Sequence, residues 1–172
     1  SLDDIRHSVT VGGNANLPLG FHASGYLRAL SGAPFNIVVG QDLNGDTQYN
    51  DRPAFATDLS RPSVVATRWG TFDTSPIAGQ TTIPRDYGQG PGFFLVNLAV
   101  GKSFGVGPPA KAGARTAKAP VPHKYTLDFW AEAQNLLNHP NLASPIGTLS
   151  ASTPGSPVMP SLFGRSIAVT GA

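Results

Sequence analysis

The chain has 172 residues, 40% of them hydrophobic and 9% aromatic, which is enough for a folded domain and argues against wholesale disorder. Only 13% are charged, against about a quarter in ordinary soluble domains, and the formal net charge is +2 with Lys and Arg spread along the chain, so no nucleic-acid footprint is present. The absence of cysteine excludes disulfides and thiolate metal sites, and 20 Gly with 16 Pro favour strands, turns and long loops over packed helices.

No apolar run approaches the ~20 residues of a membrane helix, and Ser1-Leu2-Asp3-Asp4 has no signal-peptide pattern. A strand-built membrane wall stays open, because its strands are short and alternate. A first strand is predicted near 5–17. Ile5, Val9, Val11, Ala15 and Leu17 take one face and Arg6, Ser8, Thr10, Asn14 and Asn16 the other, with His7 the polar residue on the apolar side. Leu17-Pro18-Leu19-Gly20 supplies a tight turn, and a second strand near 21–39 completes a hairpin. Its faces are Phe21, Ala23, Gly25, Leu27 and Ala29 against His22, Ser24, Tyr26 and Arg28, with a kink at Ser31-Gly32-Ala33-Pro34 before Phe35 to Val39 extend it.

Residues 40–92 hold five prolines and no sustained period, which predicts a long irregular loop. A third strand is predicted near 93–104, with Phe94, Val96, Leu98, Val100 and Phe104 on one face. The ten residues from Phe94 to Phe104, at ~3.4 Å each and ~40° of tilt, separate these rings by roughly 26 Å along a membrane normal, close to the ~25 Å apolar band of a barrel. Lys102 lies on that face, within snorkelling reach of an interface. Gly105 to Lys124, with Lys111, Arg115, Lys118 and Lys124, reads as a flexible solvated connection.

The fourth strand, near 125–137, has the cleanest alternation. Tyr125, Leu127, Phe129, Ala131 and Ala133 oppose Thr126, Asp128, Trp130, Glu132 and Gln134, a pattern a helix cannot keep as one stripe. Pro140 ends it, and 140–172 reads as loop. The fold class is therefore all-β, an antiparallel up-and-down meander of about four strands, forming part of a transmembrane barrel. Short turns stand at one rim and long loops at the other.

Several stretches, in this order and spacing, resemble the last part of the barrel of TonB-dependent outer-membrane receptors of the Oar-like type, which carry a carboxypeptidase-regulatory-like domain. They are Asp4-Ile5-Arg6-His7, Leu17-Pro18-Leu19-Gly20-Phe21, Ser31-Gly32-Ala33-Pro34-Phe35-Asn36-Ile37, and Asp42-Leu43-Asn44-Gly45-Asp46 with Asn50-Asp51-Arg52-Pro53. Further on come Gly90-Pro91-Gly92-Phe93-Phe94 with Asn97-Leu98, then Glu132 to Asn141, and Leu162-Phe163-Gly164. The resemblance implies a place in the bacterial outer membrane, with lipid, the remaining barrel strands, a plug and TonB as partners, and uptake of a ligand the sequence does not identify. A plug ahead of Ser1 and an aromatic-ended closing strand after Ala172 are the expected neighbours, which makes the chain a segment of a longer protein.

The most chemical-looking stretch is Asp42 to Asp51. Asp42, Asn44 and Asp46 stand at alternate positions, followed by Asn50 and Asp51, a set of oxygen ligands suited to Ca2+. The EF-hand positions for Gly and Glu hold Thr47 and Pro53, so it is no EF-hand, and a loop of Asx-turns fits as well. Asn36 and Tyr49 stand outside that ligand set. Arg28, Asp128 and Glu132 are expected on the lumen face, lining a path or pairing across strands. Asp128 and Glu132 are ~13 Å apart at the backbone, beyond the ~5–9.5 Å between the carboxyl groups of a glycosidase pair. The four histidines lack metal-ligand spacing, Ser24 and Ser103 lack a base, and the glycines from Gly101 to Gly107 lack a following helix, so no enzyme is expected. The alternative is a secreted β-sandwich that binds carbohydrate or calcium through residues 40–53. A sandwich seals the apolar strand faces against each other, whereas a barrel wall leaves them outward.

Overall fold

A computed structural model of the chain describes residues 4–109, 123–149 and 162–170. The described residues are all-β, with one short 3-10 turn at Pro18–Gly20. In chain order the strands are β1 (Ser8–Asn16), β2 (Phe21–Leu30), β3 (Pro34–Phe35), β4 (Ala54–Phe55), β5 (Val64–Thr67), β6 (Gly70–Asp73), β7 (Gly88–Gln89), β8 (Phe93–Pro109) and β9 (His123–Ala133). They form a four-stranded sheet in the order β1-β2-β8-β9, a two-stranded sheet β3-β7 and a three-stranded sheet β4-β6-β5. The chain divides into two compact units. One takes residues 9–29 and 94–139, and the other takes 1–8, 30–93 and 140–171.

In the first unit the β1–β2 hairpin turns as its residues dictate. Pro18 fixes one φ, Leu19 and Gly20 take positive φ of 64° and 80°, and Leu17 N–H closes the turn on Phe21 O at 2.8 Å. Gly20 is also required by space, since a Cβ there would lie 2.6 Å from Ser103 O. The antiparallel β8–β9 register sets Leu98, Val100, Lys102, Phe104 and Val106 opposite Ala133, Ala131, Phe129, Leu127 and Tyr125. These share one face, and they stay open to the surroundings: Leu98 is 40% exposed, Leu127 49% and Phe129 59%. Phe104 and Phe129 meet edge to face at 5.9 Å. The Lys102 ammonium lies over the rings of Phe21 (4.4 Å) and Phe104 (4.9 Å), so its stem covers apolar surface while its charge finds two π faces. A sandwich would have sealed this face, so the exposure separates the two architectures.

Three predicted boundaries are corrected. The third strand does not stop at Phe104: β8 runs on to Pro109 through a register shift between Val106 and Pro109, where Gly107 takes φ 88° and its carbonyl lies 2.9 Å from His123 Nδ1. Only 110–122 of the expected linker, with Lys111, Arg115 and Lys118, lies outside the described residues, while Lys124 belongs to β9. The fourth strand ends at Ala133 rather than 137, because Asn135 takes φ 48° and locks a turn. Its Nδ2 donates to His139 O (2.9 Å), its Oδ1 accepts His139 N–H (3.0 Å), and its own N–H donates to Asn97 Oδ1 (3.0 Å). The second strand ends at Leu30 rather than running to Val39. Pro34 and Phe35 pair instead with Gln89 and Gly88, and Gly32 lies so close to Gly90 O that only a glycine fits.

The second unit overturns the reading of 40–92 as irregular. Its core is Phe35, Ile37, Phe72, Ile83, Leu149 and Phe163, ringed by Phe55, Val65 and Trp69. Each large side chain buried there contributes about 1.5–3 kcal/mol toward ordering the segment that supplies it. β6 is the central strand: Phe55 and Val65 flank Phe72, which is fully buried. Trp69 stands edge-on to Phe35 (5.0 Å) and Phe163 (5.5 Å), and its Nε1–H donates to Gln89 O. Residues 142–149 and 162–169, expected as loop, return to the same unit. Val38 pairs with Thr148, Leu142 with Val169 and Ile146 with Phe163, and Leu149 N–H donates to Val38 O at 2.7 Å. Residues 150–161 lie outside the described ones.

The exposed apolar face generates the first prediction. In the full-length protein refolded into lipid vesicles, Phe129→Arg should cost about 2–4 kcal/mol of unfolding free energy in urea, whereas Thr126→Arg, on the opposite face of β9, should cost less than about 1 kcal/mol. Equal losses would mean that lipid does not distinguish the two faces.

Candidate functional site

The polar face of the four-stranded sheet carries two of the three expected lumen residues on one strand, β9. Asp128 stands opposite Ser103 and Glu132 opposite Ala99, with Trp130 between them opposite Gly101. Trp130 is 69% exposed. Arg28 is on β2, which neighbours β1 and β8 but not β9, so two strand spacings, about 10 Å, separate its backbone from that of Asp128 and Glu132.

The Asp42 to Asp51 stretch folds as a self-closing loop. Asp42 Oδ1 accepts the N–H of Gly45 (2.7 Å) and Asp46 (3.2 Å), and its Oδ2 accepts that of Thr47 (2.8 Å). Asn44 Oδ1 accepts Asp46 N–H, and Asp46 Oδ1 accepts Gln48 N–H. Asp51 Oδ2 accepts Leu43 N–H (2.6 Å) and Asn44 N–H (3.2 Å), while its Oδ1 accepts Asn44 Nδ2–H (3.2 Å). Asn50 donates to Gln48 Oε1. Gly45 at φ 79° and Thr47 at φ 67° supply the reversals. These are nested Asx-turns, in which carboxylate oxygens take the place of missing backbone acceptors. Partial desolvation raises the Asp42 pKa, but the N–H groups of Thr47, Gly45, Asp46 and Asn44 outweigh it and hold the carboxyl below its ordinary value. No group of three or more His, Asp or Glu side chains is gathered for a metal among the described residues.

Beside this loop opens a cleft of about 740 Å3, inside the second unit. Asn36, Asn44, Asn50, Asp51, Arg52 and Arg85 line it, over a floor that includes Val38 and Pro76. Arg52 is positioned by donating Nη1–H to Ile83 O at 2.7 Å. Asn36 Oδ1 accepts the N–H of Asp86, which leaves its amide N–H2 as the group with capacity to spare. Asp51 spends its carboxylate on the loop, as above. The cleft is thus richer in donors than in acceptors, and it is one this unit builds from segments near residues 36–52, 75–82 and 85. Sequence reasoning missed Asn36, Arg52 and Arg85 as a group, because 33 positions separate the two arginines and no local pattern joins them.

One buried charge holds the unit that carries the cleft. Asp73, at the end of the central strand β6, is fully buried. Its Oδ2 accepts Arg61 Nε–H (2.8 Å) and Gln80 Nε2–H (3.0 Å), and its Oδ1 accepts Ser75 N–H (3.0 Å). Burial raises its pKa, but hydrogen bonds from Ser63, Ser75 and Gln80 and the charge of Arg61 prevail, so the carboxyl is held below its ordinary value.

An outward apolar strand face and an aromatic-cored unit inserted between strands together define a membrane-wall protein whose connections are themselves folded. The chain matches the family model described as outer membrane beta barrel domain over residues 4–168, and it belongs to that family. Its place is the bacterial outer membrane, where it forms part of a barrel. No curated protein and no solved structure matches it.

The Asp73 network sets a pH dependence with a defined sign. A depressed folded-state pKa contributes stability that is fully present above the unfolded value of about 3.9 and is lost as pH falls through the folded one. Protection of Phe72 and Thr74 against hydrogen exchange in the full-length protein, taken relative to the intrinsic exchange rate at each pH, should therefore be constant above about pH 5 and fall below about pH 4. Asp73→Asn should weaken protection by about 3 kcal/mol at neutral pH and flatten that acid dependence. An unchanged acid profile in the variant would remove Asp73 as its source.

Proposed function

We propose that this chain is part of the barrel of a TonB-dependent outer-membrane receptor, supplying wall strands and a folded outer-loop unit for the uptake of a ligand. Support comes from the ordered set of motifs from Asp4-Ile5-Arg6-His7 to Leu162-Phe163-Gly164, several of which coincide with structural joints. The Gln134 to His139 motif closes the turn after β9, Asp42 to Asp51 forms the Asx loop, and Gly90 meets Ala33 and Gly32 where β2 leaves the sheet. The observation that carries the reading is the second unit. A plain pore needs no more than loops at its rim, whereas 40–92 and the segments around Leu149 and Phe163 build a core and a polar cleft.

In this reading Asp128, Trp130, Glu132 and Arg28 face the lumen, Phe129, Leu127 and Leu98 face lipid, and the short Leu17–Gly20 turn lies at the periplasmic rim. In this reading the chain does no chemistry of its own: among the described residues Asp42, Asp46, Asp51, Asp58 and Asp73 accept backbone N–H groups, and Asp128 and Glu132 stand apart on β9. A plug and a TonB-contacting segment belong to the rest of the receptor.

The full-length protein should co-purify with the periplasmic domain of TonB, and deleting tonB in the host should abolish energy-dependent uptake while surface binding of the ligand persists. A full-length protein that never associates with TonB would sink the receptor reading and leave the barrel wall standing.

A further inference from the structure

We propose that the cleft beside the Asx loop binds a polyhydroxylated carboxylate, either an acidic oligosaccharide or a smaller hydroxycarboxylate, with Arg85 and Arg52 pairing with its carboxylate groups. The proposal deepens the receptor reading by naming a ligand class for the outer unit. It does not require TonB, because binding precedes any energised step.

Much of the cleft lining is already committed. Asp51, the acidic side chain on the lining, accepts three hydrogen bonds from Leu43 and Asn44, so its oxygens hold the loop. Asn44 and Asn50 likewise bond within the loop, to Asp46 and Asp51 and to Gln48. Arg52 gives one N–H to Ile83 O and is half-buried, which fixes its guanidinium without using its other four N–H groups. Arg85 is exposed, and among the described residues neither a hydrogen bond nor an ion pair engages its guanidinium. What remains for a ligand is two planar forks of N–H donors, the Asn36 amide, and the hydroxyls of Ser75 and Thr82. Two positive charges face one carboxylate that is already satisfied.

Guanidinium pairs bidentately with carboxylate, and amide and hydroxyl groups satisfy sugar or hydroxy-acid oxygens, so the complement of this lining is an anion dense in oxygen. The volume of about 740 Å3 lies within the ~300–1,000 Å3 range of small-molecule sites, and it admits a few sugar rings. The cleft is also preorganised. Asx-turns freeze one wall of the cleft and the Arg52–Ile83 bond freezes another, so little ordering is left to oppose binding.

The test is calorimetric titration of the full-length receptor in detergent with trigalacturonate, citrate and, as the uncharged comparison, maltotriose. Binding of either acid with maltotriose silent is expected, the stronger of the two telling saccharide from small acid, and affinity should fall between about 50 and 300 mM salt. Arg85→Gln should weaken the acid at least about 10-fold, and Arg85→Lys should recover part of it, since a lysine keeps the charge and loses the fork. Arg85 is an exposed side chain, and unchanged protection of Phe72 to hydrogen exchange will show that the variant is folded. No binding of either acid up to about 10 mM, equal binding of maltotriose, or an affinity that ignores Arg85→Gln overturns the proposal. Failure here leaves the TonB test untouched, and a receptor that binds the acid without associating with TonB overturns only the receptor reading.

Discussion

Hydrocarbon offers the backbone no hydrogen-bond partner, and the wall is shaped by that single deprivation. Every N–H and C=O at membrane depth has to be met sideways by a neighbouring strand, which leaves the faces of the sheet for the surroundings. The β8–β9 ladder keeps this pairing from Leu98 to Val106 without a break, and only beyond that, at Gly107, does it slip. With β8 and β9 satisfying each other's facing edges, Leu98, Leu127 and Phe129 can remain uncovered, because lipid is as apolar as they are. In water the same exposure would demand a partner sheet.

The inserted unit obeys the opposite rule. Its apolar groups are buried against one another, which segments of two to four residues cannot achieve alone. Aromatic residues far apart in the chain solve it. Phe35, Phe72 and Phe163 come from three separate segments, and Trp69 bridges two of them by edge contacts while its indole N–H is satisfied by Gln89 O. The one charge taken inside, Asp73, is accepted because Arg61, Gln80 and Ser75 all reach it.

This difference explains what could be read from the sequence. The wall was legible, because a period of two is written residue by residue from Ile5 to Leu17, from Phe21 to Leu30, from Phe93 to Phe104 and from Tyr125 to Gln134. Its ends were less so: Gly105, Gly107 and the prolines at 108 and 109 hide the continuation of β8, and nothing in Leu136-Leu137 betrays that Asn135 has already turned the chain. The second unit left no period to find, since its strands are too short to repeat and its core is assembled by tertiary contact. Of the candidate site, the Asx loop announces itself through Asp42, Asn44 and Asp46, but oxygen spacing alone does not say whether the oxygens await a cation or amides. In the structure Asp42 and Asp46 accept N–H groups of their own loop. The cleft was invisible, because Asn36, Arg52 and Arg85 meet only after folding.

The scarcity of charge in the composition now acquires a reason. Of ten acidic residues, six lie between 40 and 92, namely Asp42, Asp46, Asp51, Asp58, Asp73 and Asp86. The first five all accept backbone N–H groups, from Gly45, Gln48, Leu43, Ser60 and Ser75 among others. Carboxylates in this unit therefore act as turn-formers, doing locally what disulfides or metals do in other loop-rich folds. Among the described residues these carboxylates meet N–H groups of their own loops, and the arginines of the unit are left out of those turns. Arg61 is the exception, drawn inward by Asp73. Arg52 and Arg85 stay at the cleft, and the electrostatic character of that surface follows from how its neighbours keep the loops in shape rather than from net charge.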